Sequence, residues 1–412
     1  MSNVLGDQLD KAVKLVHITT IPESLAFFLR GQANYMRHQG LEVHGVASPG
    51  EALHQAALQE GMIVHGIEMQ RYITPLKDLV ALGKLYRLIR QLKPTIVHAH
   101  TPKAGFLGVL AARLAGVPVV IYGMRGLRFI TSNGIKRKLL MLSETLACQM
   151  AHQVIAVSFS IKKRALALGL CQPEKIQVIK FGSGNGVDAK VKFNPQRLPT
   201  GTREVIRERY QIPKEAVVLG FVGRIVKDKG IMELTEAWQA LTNEFPDLFL
   251  ILIGQEEPQD PVPRAILDRL KTTPKVRFLG CLREMASAYA AMDILVLPTY
   301  REGFPNVLLE AAAMELPVVA THADGSVDAV IDEVTGFLVP PQNGPALAVV
   351  LRQLLLNQEL REQMGKAGRQ RVLHDYRPES IWQALFQNYM ELLKTKHPIS
   401  LIAQHSPLQK YL

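Results

Sequence analysis

Cysteine is scarce in this chain of 412 residues: Cys148, Cys171 and Cys281 stand far apart, with no Cys-x-x-Cys pair. That spacing excludes a disulfide framework or a zinc finger and fits buried reduced thiols in a cytosolic protein. Aromatic residues make up only 6% of the chain. No stacking platform or nucleic-acid motif stands out, so no nucleic-acid partner is expected. Long apolar runs are missing too. The nearest approach to a membrane span, residues 106–124, is interrupted by Arg113 and split by Gly116 and Pro118, whereas a spanning helix needs about 20 apolar residues. The opening decapeptide carries Asp7 and Asp10 and no basic cluster, so no secretory signal is expected. No Asp-x-Asp occurs, so no paired carboxylates present themselves to Mg²⁺ between two phosphates, and no metal or other cofactor is expected.

Acid is what the first half lacks. Residues 1–190 hold 23 Lys and Arg against 11 Asp and Glu, a net +12, while the remainder holds 25 against 26, a net −1. A basic half beside a neutral half points to an anionic partner for one half only: a membrane surface, nucleic acid or an anionic substrate. A solvated face without a partner would carry the same count.

What is present is alternation. Val- and Ile-rich runs at 14–19, 42–48, 62–69, 95–100, 117–123, 153–158 and 175–181 are separated by helical stretches. Several runs are apolar without a break, as strands covered on both faces are. Pro75–Leu92 reads as a helix with Leu79, Leu82, Tyr86 and Ile89 on one apolar stripe. Glycines and prolines at 182–202 read as a linker. The alternation then restarts at 217–223, 248–254, 276–280, 294–298, 317–321 and 336–339, and a last helix, Pro378–Lys396, has no sheet of its own to cover. The expected fold is α/β: two Rossmann-like parallel-sheet domains facing a cleft, at 1–190 and 191–376, then a helix and tail at 377–412. Ligands of such sheets lie beyond the carboxyl ends of the strands.

Two motifs there carry chemistry. Gly223-Arg224 ends a strand, and Lys227-Asp-Lys229-Gly230 precedes a helix. A bidentate guanidinium, a mobile ammonium and a helix N-terminus converging on one anion suit a diphosphate. Taken alone, the same residues describe a solvated basic turn. The second motif is Glu302-Gly303-Phe304-Pro305-Asn306, opening a helix that carries Glu310. Backbone amides near Gly303 can approach a ligand, and the carboxylates can accept bonds from sugar or ribose hydroxyls. Most Glu pairs of this kind are simply solvated.

Together, Gly223-Arg224…Lys229-Gly230 and Glu302-x7-Glu310 resemble the donor site of retaining glycosyltransferases of family four, which have the two-domain glycosyltransferase-B fold. His98-Ala-His100-Thr-Pro-Lys103-Ala-Gly105, Gly123-Met-Arg125-Gly-Leu-Arg128, Val157-Ser158 and Gly182-Ser-Gly-Asn-Gly-Val-Asp188 are similar to bacterial members that extend saccharides on a polyprenyl diphosphate. The resemblance implies that Arg224 and Lys229 hold the donor diphosphate and that Glu302 and backbone from Gly303 to Asn306 hold the transferred sugar. It further implies that Glu310 binds the ribose, that the base lies near Gly254 and 280–284, and that the final helix returns to the first domain. The implied donor is a UDP-sugar, and the implied transfer is metal-independent.

The chain departs from that pattern twice. The turn after the first strand has no glycine between Thr19 and Gly31, leaving Ser24 and backbone amides to meet a phosphate. Arg125 stands where many relatives have a histidine, and arginine cannot serve as a base. Arg125, Arg128 and Lys103 are expected instead to meet the acceptor's diphosphate, with His98 and His100 near the reacting hydroxyl and His17, His44 and His65 as satisfied core residues. In the segment Arg125–Met150, Arg128, Lys136, Arg137 and Lys138 beside Leu127, Phe129, Ile135, Leu139, Leu140 and Leu142 suit docking on an anionic inner membrane face. Competing readings are a sugar-nucleotide epimerase of the same architecture, a non-catalytic sugar-nucleotide binder and a basic nucleic-acid-binding protein.

Overall fold

The computed structural model describes residues 13–258 and 260–396. The opening decapeptide, read above for a signal, and the tail at 399–412 lie outside the described residues. The chain forms two compact units, Met1–Asn185 with Pro378–Leu412, and Gly186–Arg377. The first division thus falls at 185/186, where 190/191 was expected.

In the first unit seven strands form one parallel sheet: β1 Lys14–Ile18, β2 Glu42–Ala47, β3 Ile63–Gly66, β4 Ile96–His100, β5 Val119–Met124, β6 Gln153–Ala156 and β7 Ile176–Val178. Their order is β3-β2-β1-β4-β5-β6-β7. The chain winds outward from β1 in one direction, then restarts at β4 beside β1 and winds the other way. That reversal leaves a crevice beyond the carboxyl ends of β1 and β4. Every residue of β4 and β5 is buried, which is why these runs show no polar alternation. The apolar stretch at 106–124 is divided between the helix Pro102–Leu114 and β5. No helix among the described residues is long and apolar enough to cross a membrane.

The second unit repeats the plan with β8 Val217–Val222, β9 Leu248–Ile253, β10 Val276–Gly280, β11 Ile294–Leu297, β12 Val318–Thr321 and β13 Gly336–Val339. The order is β10-β9-β8-β11-β12-β13, with the reversal between β8 and β11. The helix Pro378–Lys396 belongs to the first unit. Its Leu385, Phe386, Tyr389, Met390 and Leu393 join a core with Leu15, Leu25, Ile96 and Ile121. Gly31, at φ 72°, ends the break between two short helices and lies directly against the Trp382 ring, leaving no room for a side chain.

Two expectations need correction. In Pro75–Leu92 the core face is Ala81, Leu85 and Ile89, with Leu82 packed at its edge; of the expected stripe only Leu79 and Tyr86 face solvent instead. Leu79 is 67% exposed, beside Leu76 at 83% and Val80 at 58%. An 18-residue helix rich in leucine fits more than one stripe, and only its neighbour, the helix Pro102–Leu114, selects the buried one. The cysteines are not all buried either: Cys148 is, Cys171 is half-buried and Cys281 is exposed.

Candidate active site

The second unit places both sequence motifs at its topological reversal, one after β8 and one after β11. Gly230, at φ 72°, packs so closely on the Pro298 carbonyl that a β-carbon would collide with it. This lets the loop after β8 lie on the loop after β11. Hydrogen bonds fasten the two: Tyr300 N–H donates to the Asp228 carbonyl at 2.8 Å, and Arg301 Nε to Asp228 Oδ2 at 2.8 Å. Asp228 N–H in turn donates to Asp260 Oδ2 at 2.7 Å.

The strapped loops carry the cations. Lys229 Nζ is paired with Glu302 Oε1, both side chains largely buried. Arg224 is 43% exposed and pairs with Glu257 Oε2 at 2.7 Å. The helix Asn306–Ala313 starts with Pro305 in the capping position and no side-chain cap. Gly303 and Pro305 are buried, while Phe304 is half-buried with its ring 5.5 Å from that of Tyr376. A β-carbon at Gly325 would strike the Gly303 carbonyl, so Gly325 lets that turn pack closely. Glu310 is half-buried and accepts from the Tyr289 hydroxyl at 2.9 Å. Burial, with Glu310 alongside, pushes the Tyr289 hydroxyl well above its usual pKa, so it stays a donor. Gly254 N–H bonds the Gly280 carbonyl at 2.9 Å, which closes the segment expected beneath a base.

Arg224, Lys229, Glu302 and Glu310 thus stand at one reversal. Three partners escaped the sequence reading. Glu257 and Tyr289 belong to no motif, Asp228 stood inside one without a role read for it, and a buried tyrosine in Met285–Ala290 looks like any core aromatic.

The first unit's reversal carries histidines. His17 of β1 and His98 and His100 of β4 are all buried. His17 Nδ1 and His100 Nε2 are 3.0 Å apart, and Arg125 donates from Nε and Nη2 to His100 Nδ1, each at 3.3 Å. His98 Nδ1 meets the Tyr389 hydroxyl at 2.7 Å. Burial first, then neighbouring charge including Arg125, pushes all three histidines below their usual pKa, His17 to about 3. Burial also lowers Arg125, to about 10, so it stays charged near neutrality. His17 Nε2 and His98 Nε2 are buried without a partner, so His17 is not the satisfied core residue expected. His44 is satisfied, by His65 at 3.0 Å and Glu42 at 2.7 Å.

The ring nitrogens of His17, His98 and His100 lie within 4.8 Å of one another, close enough to share a metal. The hydrogen bonds argue otherwise. His100 Nδ1 accepts from Arg125, so its proton sits on Nε2 and neither nitrogen offers a lone pair to a cation. The guanidinium beside it also repels one. Of the other expected acceptor residues, Lys103 pairs with Asp78 at 2.6 Å and also donates to the Tyr72 carbonyl. Arg128 donates to the Arg71 carbonyl at 3.4 Å. Both therefore fasten the segment at 71–78, while Arg125 turns to His100 and the Phe28 ring. Ser24 is half-buried in the helix Pro22–Phe28.

Known proteins fit both halves. Residues 202–371 match the family model "Glycosyl transferases group 1" and residues 25–182 match "Glycosyl transferase 4-like domain". The capsular polysaccharide biosynthesis glycosyltransferase CapM of Staphylococcus aureus is 35% identical over 93% of this chain and 98% of its own. An Escherichia coli UDP-Gal:alpha-D-GlcNAc-diphosphoundecaprenol alpha-1,3-galactosyltransferase is 30% identical over 65% of this chain and 68% of its own. Among solved structures, Anabaena HepE in complex with UDP and glucose superposes with a TM-score of 0.78 at 20% identity, covering 92% of this chain and 100% of that one. That likeness confirms the fold. Two parallel-sheet domains and these matches together make the chain a glycosyltransferase of the group 1 family, with a glycosyl transferase 4-like N-terminal domain and the glycosyltransferase-B fold.

Proposed function

We propose that the protein is a retaining, metal-independent hexosyltransferase that moves a hexose or N-acetylhexosamine from a UDP-sugar to a polyprenyl diphosphate-linked saccharide in bacterial surface polysaccharide synthesis. The observation that carries this is the placement of Arg224 and Lys229 in the loop after β8, at the β8/β11 reversal, each paired with a carboxylate. The donor diphosphate displaces Glu257 and Glu302 and takes their place. Freed, Glu302 with the turn at Gly303–Asn306 receives the transferred sugar, and Glu310, oriented by Tyr289, receives the ribose. As the sugar–phosphate bond breaks, charge builds on the departing phosphate. Two cations and the uncapped start of Asn306–Ala313 stabilise that charge, the work Mg²⁺ does elsewhere. The acceptor hydroxyl attacks from the side the phosphate leaves, which retains the configuration. Arg125 cannot take its proton near neutrality, so the departing phosphate oxygen does. Arg125 holds the acceptor's own diphosphate. The polyprenyl-linked acceptor of the Escherichia coli relative and the capsular role of the Staphylococcus relative support this reading.

The acceptor's lipid requires a peripheral position on the inner membrane face. Leu76, Leu79 and Val80, with Tyr72 and Ile73 before them, expose an apolar face beside Arg71 and Lys77. Ile135, Leu139 and Leu142 do the same beside Lys136, Arg137 and Lys138. Leu127 and Phe129, expected on this surface, are core residues. Apolar side chains ringed by lysine and arginine suit the interface of an anionic bilayer. The decisive experiment incubates a panel of nucleotide sugars with a polyprenyl diphosphate-linked sugar in EDTA and reads the anomeric configuration of the product. An α-linked product from a UDP-sugar, lost by about 100-fold or more on Arg224→Ala or Lys229→Ala, is expected. Loss of turnover in EDTA, or an inverted product, overturns the reading.

A further inference from the structure

Most strongly placed cations in this chain sit on a carboxylate: Arg224 on Glu257, Lys229 on Glu302, Lys103 on Asp78, Arg207 on Asp293, Arg301 on Asp228. Arg125 does not. Among the described residues no carboxylate pairs with it. Its contacts are His100 Nδ1, which accepts two N–H bonds at 3.3 Å, and the Phe28 ring, 4.5 Å from the guanidinium carbon.

The bonding direction sets the tautomers. A ring nitrogen that accepts carries no proton, so His100 is protonated on Nε2. That N–H donates to His17 Nδ1 at 3.0 Å, which places the His17 proton on Nε2. The chain of donors from Arg125 to His100 to His17 holds only while both imidazoles are neutral. Burial and the adjacent guanidinium keep them so. On the other side, one guanidinium nitrogen lies where a β-carbon at Gly184 would sit, and Gly184 has φ 73°. Arg125 also lines a cavity with His98, Gly123, Gly182, Gly184 and Leu385.

We infer that His100 and His17 form a neutral cradle that positions Arg125 without compensating its charge, so that the diphosphate of the acceptor becomes its counter-ion. This rests on reading Arg125 as the acceptor-diphosphate ligand. A carboxylate in the place of His100 would hold the guanidinium as firmly, but it would have to be displaced at each binding event. A neutral acceptor fixes direction and leaves the full attraction for the ligand. His100 and His17 are therefore positioning residues.

The test compares two nearly isosteric variants of the full chain, His100→Asn and His100→Asp. The probe is a short-chain polyprenyl diphosphate bearing N-acetylglucosamine; its binding is measured beside that of UDP. Asn keeps a neutral acceptor and is expected to change probe affinity by less than about threefold, while Asp supplies a competing charge and weakens it by about tenfold or more. UDP binding stays unchanged in both. Phe28→Gln and Phe28→Glu make the same comparison from the half-buried ring on the guanidinium, and keep the test intact if a residue-100 variant does not fold. Equal weakening by the neutral and charged members of a pair overturns the cradle and leaves Arg125 as a ligand. Unchanged probe binding in Arg125→Ala overturns the reading beneath it.

Discussion

Glu144 shows how one buried residue sets a pH dependence. It lies inside the helix Gly134–Met150, 2% exposed, and accepts from the Tyr122 hydroxyl at 2.6 Å. Burial pushes its carboxyl up to about 7, with the Tyr122 bond opposing. A carboxyl whose folded pKa is raised favours the fold while it is protonated. That contribution is complete below its ordinary 4.5 and is lost as pH rises through 7. The total cost of ionisation is about 3 kcal/mol. Glu144→Gln keeps an acceptor for Tyr122 and removes the charge. Its melting temperature is expected to exceed that of the wild type at pH 8 and to converge with it near pH 4. A constant difference across that range refutes the assignment. The histidine cluster has the opposite sign: His17, lowered from 6.5 to about 3, stabilises the fold above 6.5 and loses that contribution as pH falls through 3. Acid therefore weakens the first unit through β1 and β4 while it relieves Glu144.

At the scale of elements, the helix Pro75–Leu92 carries two apolar faces. One, with Ala81, Leu85 and Ile89, is buried. The other, with Leu76, Leu79 and Val80, faces solvent near residue 71, which Arg128 holds through its carbonyl. A helix needs one apolar stripe to pack; the second packs on nothing among the described residues and is the face proposed above for the lipid interface. Changing Leu76, Leu79 and Val80 together to Ser is expected to reduce flotation with vesicles containing anionic lipid by about tenfold, since each deletes a side chain worth about 1–3 kcal/mol on full burial, only partly realised at an interface. The melting temperature should hold. Undiminished flotation removes this helix from the docking surface.

The whole molecule has separate cores. Buried residues from Val187 to Tyr376 form one, while the first unit recruits the helix Pro378–Lys396 from the far end of the chain. Phe386, 1% exposed, packs there. Phe386→Ala is expected to cost about 3–5 kcal/mol and, in calorimetry, to lower the transition of the N-terminal unit while leaving that of Gly186–Arg377 in place. A shift of the second transition alone contradicts the assignment of the helix. The charge is divided the same way, so added salt should release the protein from anionic vesicles without altering donor binding in proportion.

Much of this was legible in the sequence because it depends on short-range pattern. All thirteen strands fall within or beside the runs read as strands, since a parallel strand buried on both faces must be apolar throughout, whatever its neighbours. Arg224, Lys229, Glu302 and Glu310 were legible as candidates because they stand in short motifs just beyond strand ends, cations suited to an anion and carboxylates suited to hydroxyls. What pairs with them was not. Glu257, Tyr289, His17 and Tyr389 come from segments distant along the chain, and nothing local marks a carboxylate that will meet a guanidinium or a tyrosine that will meet a histidine. Residue type and spacing determined the layers and the chemistry they offer. Which face of Pro75–Leu92 is buried was decided only when the helix Pro102–Leu114 packed on it, and that Arg125 rests on neutral imidazoles only when the strand order brought β1 beside β4, because burial and hydrogen bonding are properties of neighbours in space.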